Sequence, residues 1–268
     1  MAQKSVNLSI VDTHAHLFFD RFDNDRAEVI ENARNAGVAA IINVGIDVKT
    51  SRAVTEMAQE HETLFAAVGL HPNDANLAAP DYPDQLGELA LNKKVVAIGE
   101  IGLDYYWDRC PKNIQRIEFR SQLDLAERLG MPVIIHNRDA WEDTLAILEG
   151  DYKNKTSGVF HCFTGTKEEL KRVLDLGFFV SFTGVVTFKN SSALELVTKY
   201  APLDRLLLET DSPFMAPVPF RGKRCEPAFV IRIAEKIAEA KNISMKDLAK
   251  TTNRNVKQLF GIDVAIPG

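Results

Sequence analysis

The stretch Ser9-Ile10-Val11-Asp12-Thr13-His14-Ala15-His16 (SIVDTHAH) is a short β-branched apolar run that ends in polar residues. Seven further runs share that design: VAAIINVG (38–45), TLFAAVGLH (63–71), KVVAIGEIG (94–102), MPVIIHNR (131–138), SGVFHCF (157–163), FFVSFTG (178–184) and RLLLETDS (205–212). They are nearly continuous in apolar character, as parallel strands covered on both faces require. Between them lie helical patterns. Residues 112–129 carry Ile114, Ile117, Leu123, Ala126 and Leu129 near helical spacing, and Gly130 supplies the stop. Thr166 with Glu169, Ser192 with Glu195 and Ser244 with Asp247 read as capping boxes, and Gly37 and Gly177 as further stops. Eight strands, each followed by a helix, predict an α/β fold of the (β/α)8 TIM-barrel type. An additional C-terminal helix at about residues 245–260 is expected to close against the outside. An open doubly wound sheet would give a similar alternation. No repeat, linker or low-complexity segment interrupts the chain, so residues 1–268 are expected to form a single domain. Residues 72–84, rich in Pro and Asp, read as a long loop after the third strand.

The totals narrow the function classes. The net charge of −5 argues against a protein that coats nucleic acid by bulk attraction, although an enzyme with a local basic patch is compatible with it. Three widely spaced cysteines, Cys110, Cys162 and Cys225, form neither a disulfide framework nor a Cys-x-x-Cys site, which fits a reducing compartment. The N-terminus MAQKSVNLSI lacks the apolar core of an export signal, and no apolar run has the length of a membrane span. The expectation is a cytoplasmic protein without membrane association, and nothing in the sequence calls for an obligate protein partner.

The polar residues of the eight runs are not scattered. His14 and His16 end the first, Glu100 the fourth, His136 the fifth, His161 lies near the end of the sixth, and Asp211 ends the eighth. In a barrel these ends meet at one mouth, where such folds place their active sites. On an extended strand, side chains at i and i+2 point the same way, so His14 and His16 form a pincer. Taken singly, each is more ordinary as a hydrogen-bonded histidine, a salt-bridging Glu or a turn Asp; their joint placement is what favours a metal site. Four imidazoles and two carboxylates with no thiolate suit zinc, manganese, iron or magnesium. Six ligands exceed what one catalytic zinc with an open position needs, and suit two ions about 4 Å apart sharing a bridging carboxylate.

Several motifs then match a known family. DTHAHL (12–17), VGLHP (68–72), AIGEIGLDYYW (97–107), VIIHNRDA (133–140), FHCFTG (160–165), ETDSPFMAP (209–217) and RGKRCEP (221–227) resemble the TatD family of metal-dependent hydrolases, within the amidohydrolase-like barrels. The resemblance spans nearly the whole chain. It implies a (β/α)8 barrel, two divalent ions (zinc, magnesium or manganese), and hydrolysis of DNA, typically from the 3′ end. By motif, His14 and His16 match the family's His-x-His ligands, Glu100 the bridging carboxylate, His136 and His161 ligands of the second ion, and Asp211 the terminal Asp that touches metal and attacking water. The chain departs at Cys225, where Asn is usual.

In the expected mechanism Asp211 accepts a proton from the attacking water and Glu100 holds the two ions together. Arg138, Arg221, Lys223 and Arg224 are candidate phosphate contacts, the last three as a basic run beyond the eighth strand, with a solvated loop as the plainer alternative. His71 is a candidate for substrate contact or proton delivery. Tyr105, Tyr106 and Trp107 can stack a base or pack a core. Cys162, next to His161, is expected to point the other way as a small buried residue. The same metal chemistry serves a second substrate class, a carboxylic ester or amide such as an aminoacyl-tRNA. A non-catalytic metal scaffold is the third reading, disfavoured because a structural site closes with four ligands.

Overall fold

The structure, a computed structural model, describes residues 9–264; residues 1–8, on which the expectation of no export signal rests, and residues 265–268 lie outside the described part. Strands and helices alternate: β1 (Ile10–Ala15), α1 (Arg26–Ala36), β2 (Val38–Val44), α2 (Val48–Glu60), β3 (Leu64–Val68), α3 (Tyr82–Ala90), β4 (Val95–Asp104) and α4 (Lys112–Leu129). The second half continues with β5 (Val133–Arg138), α5 (Trp141–Gly150), β6 (Gly158–Phe160), α6 (Lys167–Asp175), β7 (Phe179–Phe182), α7 (Ser192–Tyr200), β8 (Leu206–Leu208), α8 (Val230–Lys241) and α9 (Met245–Phe260). The strands form one parallel eight-stranded sheet in sequence order. An Ala15–Ser212 bridge closes β1 onto the chain after β8, which makes a (β/α)8 barrel. Among the described residues no helix is long and apolar enough to cross a membrane.

Two apolar clusters follow from the strand alternation. Ile41, Ile98, Ile135, Phe160 and Leu208 face outward into the layer shared with the helices. Val11, Ile42, Ala97, Ile134, Val159 and Leu207 face the barrel interior. Val256, Leu259 and Phe260 of α9 belong to the interior cluster. Leu248 and Ala249 of the same helix belong to the outer cluster, so the C-terminal helix packs against the outside with its first turns and reaches the barrel-interior cluster with its last. Its Asn255 amide donates to the carbonyls of Leu203 and Leu206, and its Asn253 amide to that of Ser9, so α9 also satisfies strand-entry backbone that would otherwise be buried without partners.

The helix punctuation is mostly as expected. Gly37 and Gly130 end α1 and α4 in left-handed backbone conformations. Thr166 and Glu169 form the complete capping box of α6. Ser244 caps α9 by accepting from the Asp247 N–H. The Ser192–Glu195 box is not formed: α7 begins one residue earlier in register, Ser191 is its N-cap, and the Ser191 hydroxyl donates instead to the Phe188 carbonyl. Ile117 on α4 is 60 % exposed, and the buried stripe runs through Phe119, Leu123 and Ala126. Residues 72–84 are not all loop, because a 3-10 turn fills Pro72–Leu77 and α3 starts at Tyr82.

Candidate metal centre

The six expected ligands converge, and two irregularities of the sheet explain how. Along β4, Ala97 faces the interior and Ile98 the outside, so plain alternation would send Glu100 outward with Ile98. The register between β4 and β5 shifts between Ile98 and Ile101. That shift inverts the alternation: Ile101 and Leu103 face out, while Glu100 and Asp104 turn to the interior. A second shift between Asp12 and Ala15 does the same on β1, with Ala15 and Leu17 outward and His14 and His16 inward. Glu100 is thus within β4, which runs on to Asp104, and does not end it. Gly102 follows from the same crowding: a Cβ there would sit 2.0 Å from the His136 carbonyl oxygen, and its φ is +141°.

The barrel seam lies at this place. The Asp211 N–H donates to the His14 carbonyl (2.8 Å) and the His16 N–H to the Ser212 carbonyl (2.8 Å). The buried Asp12 carboxylate accepts from the Thr210 N–H (2.8 Å) and hydroxyl (2.6 Å). The chain after β8 is thereby fixed against the His-x-His strand, which sets Asp211 opposite the pincer.

The ligand atoms fall into two groups around one carboxylate. Glu100 Oε2 lies 3.6 Å from both His14 Nε2 and His16 Nε2. Asp211 Oδ1 lies 3.8 and 3.4 Å from the same two nitrogens, which are 3.1 Å from each other. Glu100 Oε1 faces the other way, 2.6 Å from His136 Nδ1 and 2.8 Å from His161 Nε2. In the first group most spacings are too long for hydrogen bonds. They match the edge of a tetrahedron around a cation with bonds near 2.1 Å, about 3.4 Å. The second group is drawn in to hydrogen-bond lengths.

Outer partners fix which nitrogen lone pairs face inward. His16 Nδ1–H donates to the Val44 carbonyl at 2.8 Å, leaving Nε2 for the site. His136 Nε2–H donates to Asp104 Oδ2 at 3.0 Å, leaving Nδ1. Nδ1 of His14 and of His161 is buried without a hydrogen-bond partner. The donor set therefore fits a divalent cation in each group, with His14, His16 and Asp211 on one side of Glu100 and His136 and His161 on the other.

The electrostatics agree. Burial opposes charge on all these groups. At Glu100 it is outweighed by His161, His71 and His136, which hold the carboxyl well below the usual range. At His161 burial is outweighed by Glu100, which holds the imidazole well above its usual value. His16 is raised against burial by Asp211 and Glu100, and His136 by Asp104 and Glu100. His14 is lowered by burial and by His161. Protons and cations compete here for the same lone pairs.

The site opens into a cavity of about 890 Å³. Arg138 lines it at the end of β5, with its guanidinium 3.8 Å from the Tyr106 ring centroid. His71 lines it as well; its Nδ1 accepts the Asn73 N–H at 3.1 Å, so the proton sits on Nε2, 3.8 Å from Glu100 Oε1. Burial and His136 push His71 down to about 3, so it presents a neutral N–H donor to the site rather than a lone pair. The basic run is placed elsewhere. Arg224 forms a two-pronged pair with Asp25 (2.8 and 2.6 Å), Arg221 lies over the Phe188 ring, and Lys223 lies near Phe220; none of the three lines the cavity. Arg109 does. Cys162 is a correction: it lines the cavity, with Sγ 3.5 Å from Thr183 Oγ1 and 3.7 Å from Met215 Sδ. β6 has already ended at Phe160 and Cys162 has a φ of +46°, so strand alternation does not apply to it. Cys225 is fully buried, with Sγ 3.9 Å from the Thr210 carbonyl oxygen.

Two carboxylates escaped the sequence reading. Asp104 orients His136, and was signalled by its place four residues beyond Glu100 on the same strand. Glu209 accepts the Ser181 hydroxyl (2.6 Å) and the Cys162 N–H (2.5 Å), bracing the segment that carries His161; it stands two residues before Asp211.

Comparison with known proteins agrees with this geometry. Residues 11–261 match the family described as TatD related DNase. A Bacillus subtilis protein named as an uncharacterized metal-dependent hydrolase is 46 % identical over 254 residues, covering 95 % of this chain and 100 % of its own. A Pantoea ananatis protein named 3′-5′ ssDNA/RNA exonuclease TatD is 36 % identical over 257 residues, 94 % of this chain and 99 % of its own. The crystal structure of a TatD homolog from Escherichia coli K12 superposes with a TM-score of 0.89 at 30 % identity, covering 94 % of this chain and 98 % of that one. A match this long, carried by a barrel whose imidazoles and carboxylates converge on one cavity, means that the chain belongs to the TatD-related family of metal-dependent hydrolases.

Proposed function

We infer that the protein is a two-metal phosphodiesterase that removes nucleotides from DNA, acting from the 3′ end. The observation that carries this reading is Glu100, whose two oxygens face separate ligand groups on the wall of one cavity. Divalent ions bound by these residues would supply an easily ionised water and would draw charge from the phosphoryl oxygens. His14, His16 and Asp211 would hold one ion, His136 and His161 the other, and Glu100 both.

The chain's own residues do the rest. Asp211 is held ionised, because His16 and His14 outweigh the effect of its burial, and so accepts the proton that the attacking water loses. Neutral His71 offers its Nε2–H to a phosphoryl or leaving oxygen. Arg138 and Arg109 lie at the cavity wall, where a guanidinium can take phosphate oxygens in pairs. The names of the curated exonuclease relatives support a nucleic-acid substrate.

The test is hydrolysis of single-stranded DNA labelled at either end, with magnesium, manganese and zinc, beside a His14→Ala/His16→Ala variant. Stepwise loss from the 3′ end that needs metal and disappears in the variant is the expected result. A folded, metal-loaded protein that cleaves no DNA but does cleave aminoacyl esters would replace this reading with the carbon-ester one.

A further inference from the structure

No strand sets the side chain of His161. β6 ends at Phe160, and His161 stands on a turn whose next residue, Cys162, has a φ of +46°. Its Nε2 lies 2.8 Å from Glu100 Oε1. For that nitrogen to offer a lone pair to a cation, the neutral ring must carry its proton on Nδ1. Nδ1 is buried and has no hydrogen-bond partner. A buried N–H left without an acceptor is costly, so something has to receive it once the ring is a ligand. The group it faces is Glu209, whose Oε1 lies 3.7 Å away.

Glu209 is fully buried. Its Oε2 accepts the Ser181 hydroxyl at 2.6 Å and its Oε1 the Cys162 N–H at 2.5 Å. Both donors are neutral. Among the described residues no lysine or arginine lies within 4.0 Å of this carboxylate; the His161 imidazole stands there instead. A buried negative charge without a positive neighbour costs more than neutral hydrogen bonds return. Ser181 belongs to β7 and Glu209 follows β8, so the carboxylate is fixed from two sides before it meets the turn. A like arrangement orients His136, whose outer ring N–H goes to Asp104 at 3.0 Å. The 3.7 Å at His161 is longer than a hydrogen bond, so this contact is one that the ligated ring has still to make.

We propose that Glu209 is a positioning residue of the candidate metal centre: it accepts the Nδ1–H of His161, fixes Nε2 as the ligating atom, and supplies negative charge behind the ring. The proposal rests on the two-ion reading above. A carboxylate behind a ligating imidazole fixes its tautomer and raises its basicity as a ligand. The consequence is asymmetric. Asp104 backs His136 and Glu209 backs His161, so both imidazoles of one ion position lean on carboxylates. On the other side His16 leans on the Val44 carbonyl, and Nδ1 of His14 has no partner. Loss of the Glu209 charge is therefore felt at one position and not at the other.

The test titrates the full chain and its Glu209→Gln variant with zinc in competition with a fluorescent chelator. Glutamine keeps the size of the side chain and removes its charge. The ion held by His136 and His161 should bind about 10- to 100-fold more weakly, and the other should change by less than about threefold. Ser181→Ala removes a hydrogen bond of Glu209 but not its charge, and should leave both affinities within about threefold. Melting of the metal-free proteins establishes that each variant is folded. NMR of the histidine ring nitrogens in the isotope-labelled, zinc-loaded wild-type protein needs no variant to fold: His161 should be bound through Nε2, with a slowly exchanging proton on Nδ1. Unchanged affinities in folded Glu209→Gln, equal weakening at both positions, a matching loss in Ser181→Ala, or a His161 ring without a proton on Nδ1 overturns the proposal. Wild-type protein that binds a single zinc ion defeats the two-ion reading itself; two bound ions with any of those results defeats the role of Glu209 alone.

Discussion

Asp104→Asn should separate the two ion positions. The Asp104 carboxylate accepts from His136 Nε2 (3.0 Å), Tyr106 N (3.0 Å), Trp107 N (3.1 Å) and Asn73 Nδ2 (3.3 Å). Asparagine keeps one acceptor oxygen and puts an NH2 group in place of the other. If the NH2 faces His136, two donors meet, and the imidazole is pushed toward the tautomer that carries its proton on Nδ1, the atom aimed at Glu100. If it faces the aromatic turn, the Tyr106 and Trp107 N–H groups lose their acceptor. A hydrogen bond to a charged group is worth roughly 1.5–3 kcal/mol. Loss of a partner that orients a ligating histidine typically costs about 10- to 100-fold in metal affinity. We therefore expect the ion held by His136 and His161 to bind about 10- to 100-fold more weakly. The ion held by His14, His16 and Asp211 should change by less than about threefold, because Asp104 touches none of those side chains. Competition of manganese against a fluorescent chelator resolves the two affinities, and the DNA hydrolysis rate against free manganese should be restored at high metal. Unchanged affinity at both positions in a folded Asp104→Asn protein would refute the reasoning, as would equal weakening of both.

Two further outcomes follow from packing and charge. In the metal-free protein His16, His136 and His161 hold protons more tightly than they would unfolded, so their contribution to stability is complete below the unfolded value near 6.5 and is lost as pH rises through the raised folded values. Glu100, held low, contributes above its unfolded value near 4.5 and is lost only as pH falls through its depressed folded value. Melting temperatures with and without chelator should accordingly diverge as pH rises from about 5.5 to 8, because a cation replaces the departing protons; a gap that is constant or narrows with pH would contradict this. Phe260→Ala should cost about 3–5 kcal/mol in urea unfolding, since the ring is buried in the barrel-interior cluster; a cost under about 1 kcal/mol would mean that α9 does not close the barrel.

The barrel was legible because each β-branched run is short, apolar and followed by a helical segment, some of them marked by a cap or a glycine stop, and those are the properties that make a buried parallel strand and its crossover helix. The convergence of His14, His16, Glu100, His136, His161 and Asp211 was legible for a related reason, since polar residues closing apolar runs have one place to go in a barrel. What was hidden depends on backbone detail. The register shifts that turn Glu100 and His14 inward leave no mark in residue type. The left-handed backbone at Cys162 reverses the direction that alternation would assign it. The run Arg221, Lys223 and Arg224 looked like a phosphate contact because charge is all that a sequence displays; Asp25, nearly two hundred residues earlier, claims Arg224 in the fold. Asp104 and Glu209 are ordinary acidic residues until the histidine or backbone N–H they serve is in view.

The account rests on two cations sharing Glu100. Anomalous diffraction from crystals of the manganese-loaded protein tests that most directly. Two peaks are expected on either side of the Glu100 carboxylate, one beside His14, His16 and Asp211 and the other beside His136 and His161. A single peak in manganese-saturated crystals, or peaks that leave Glu100 uncoordinated, would contradict it.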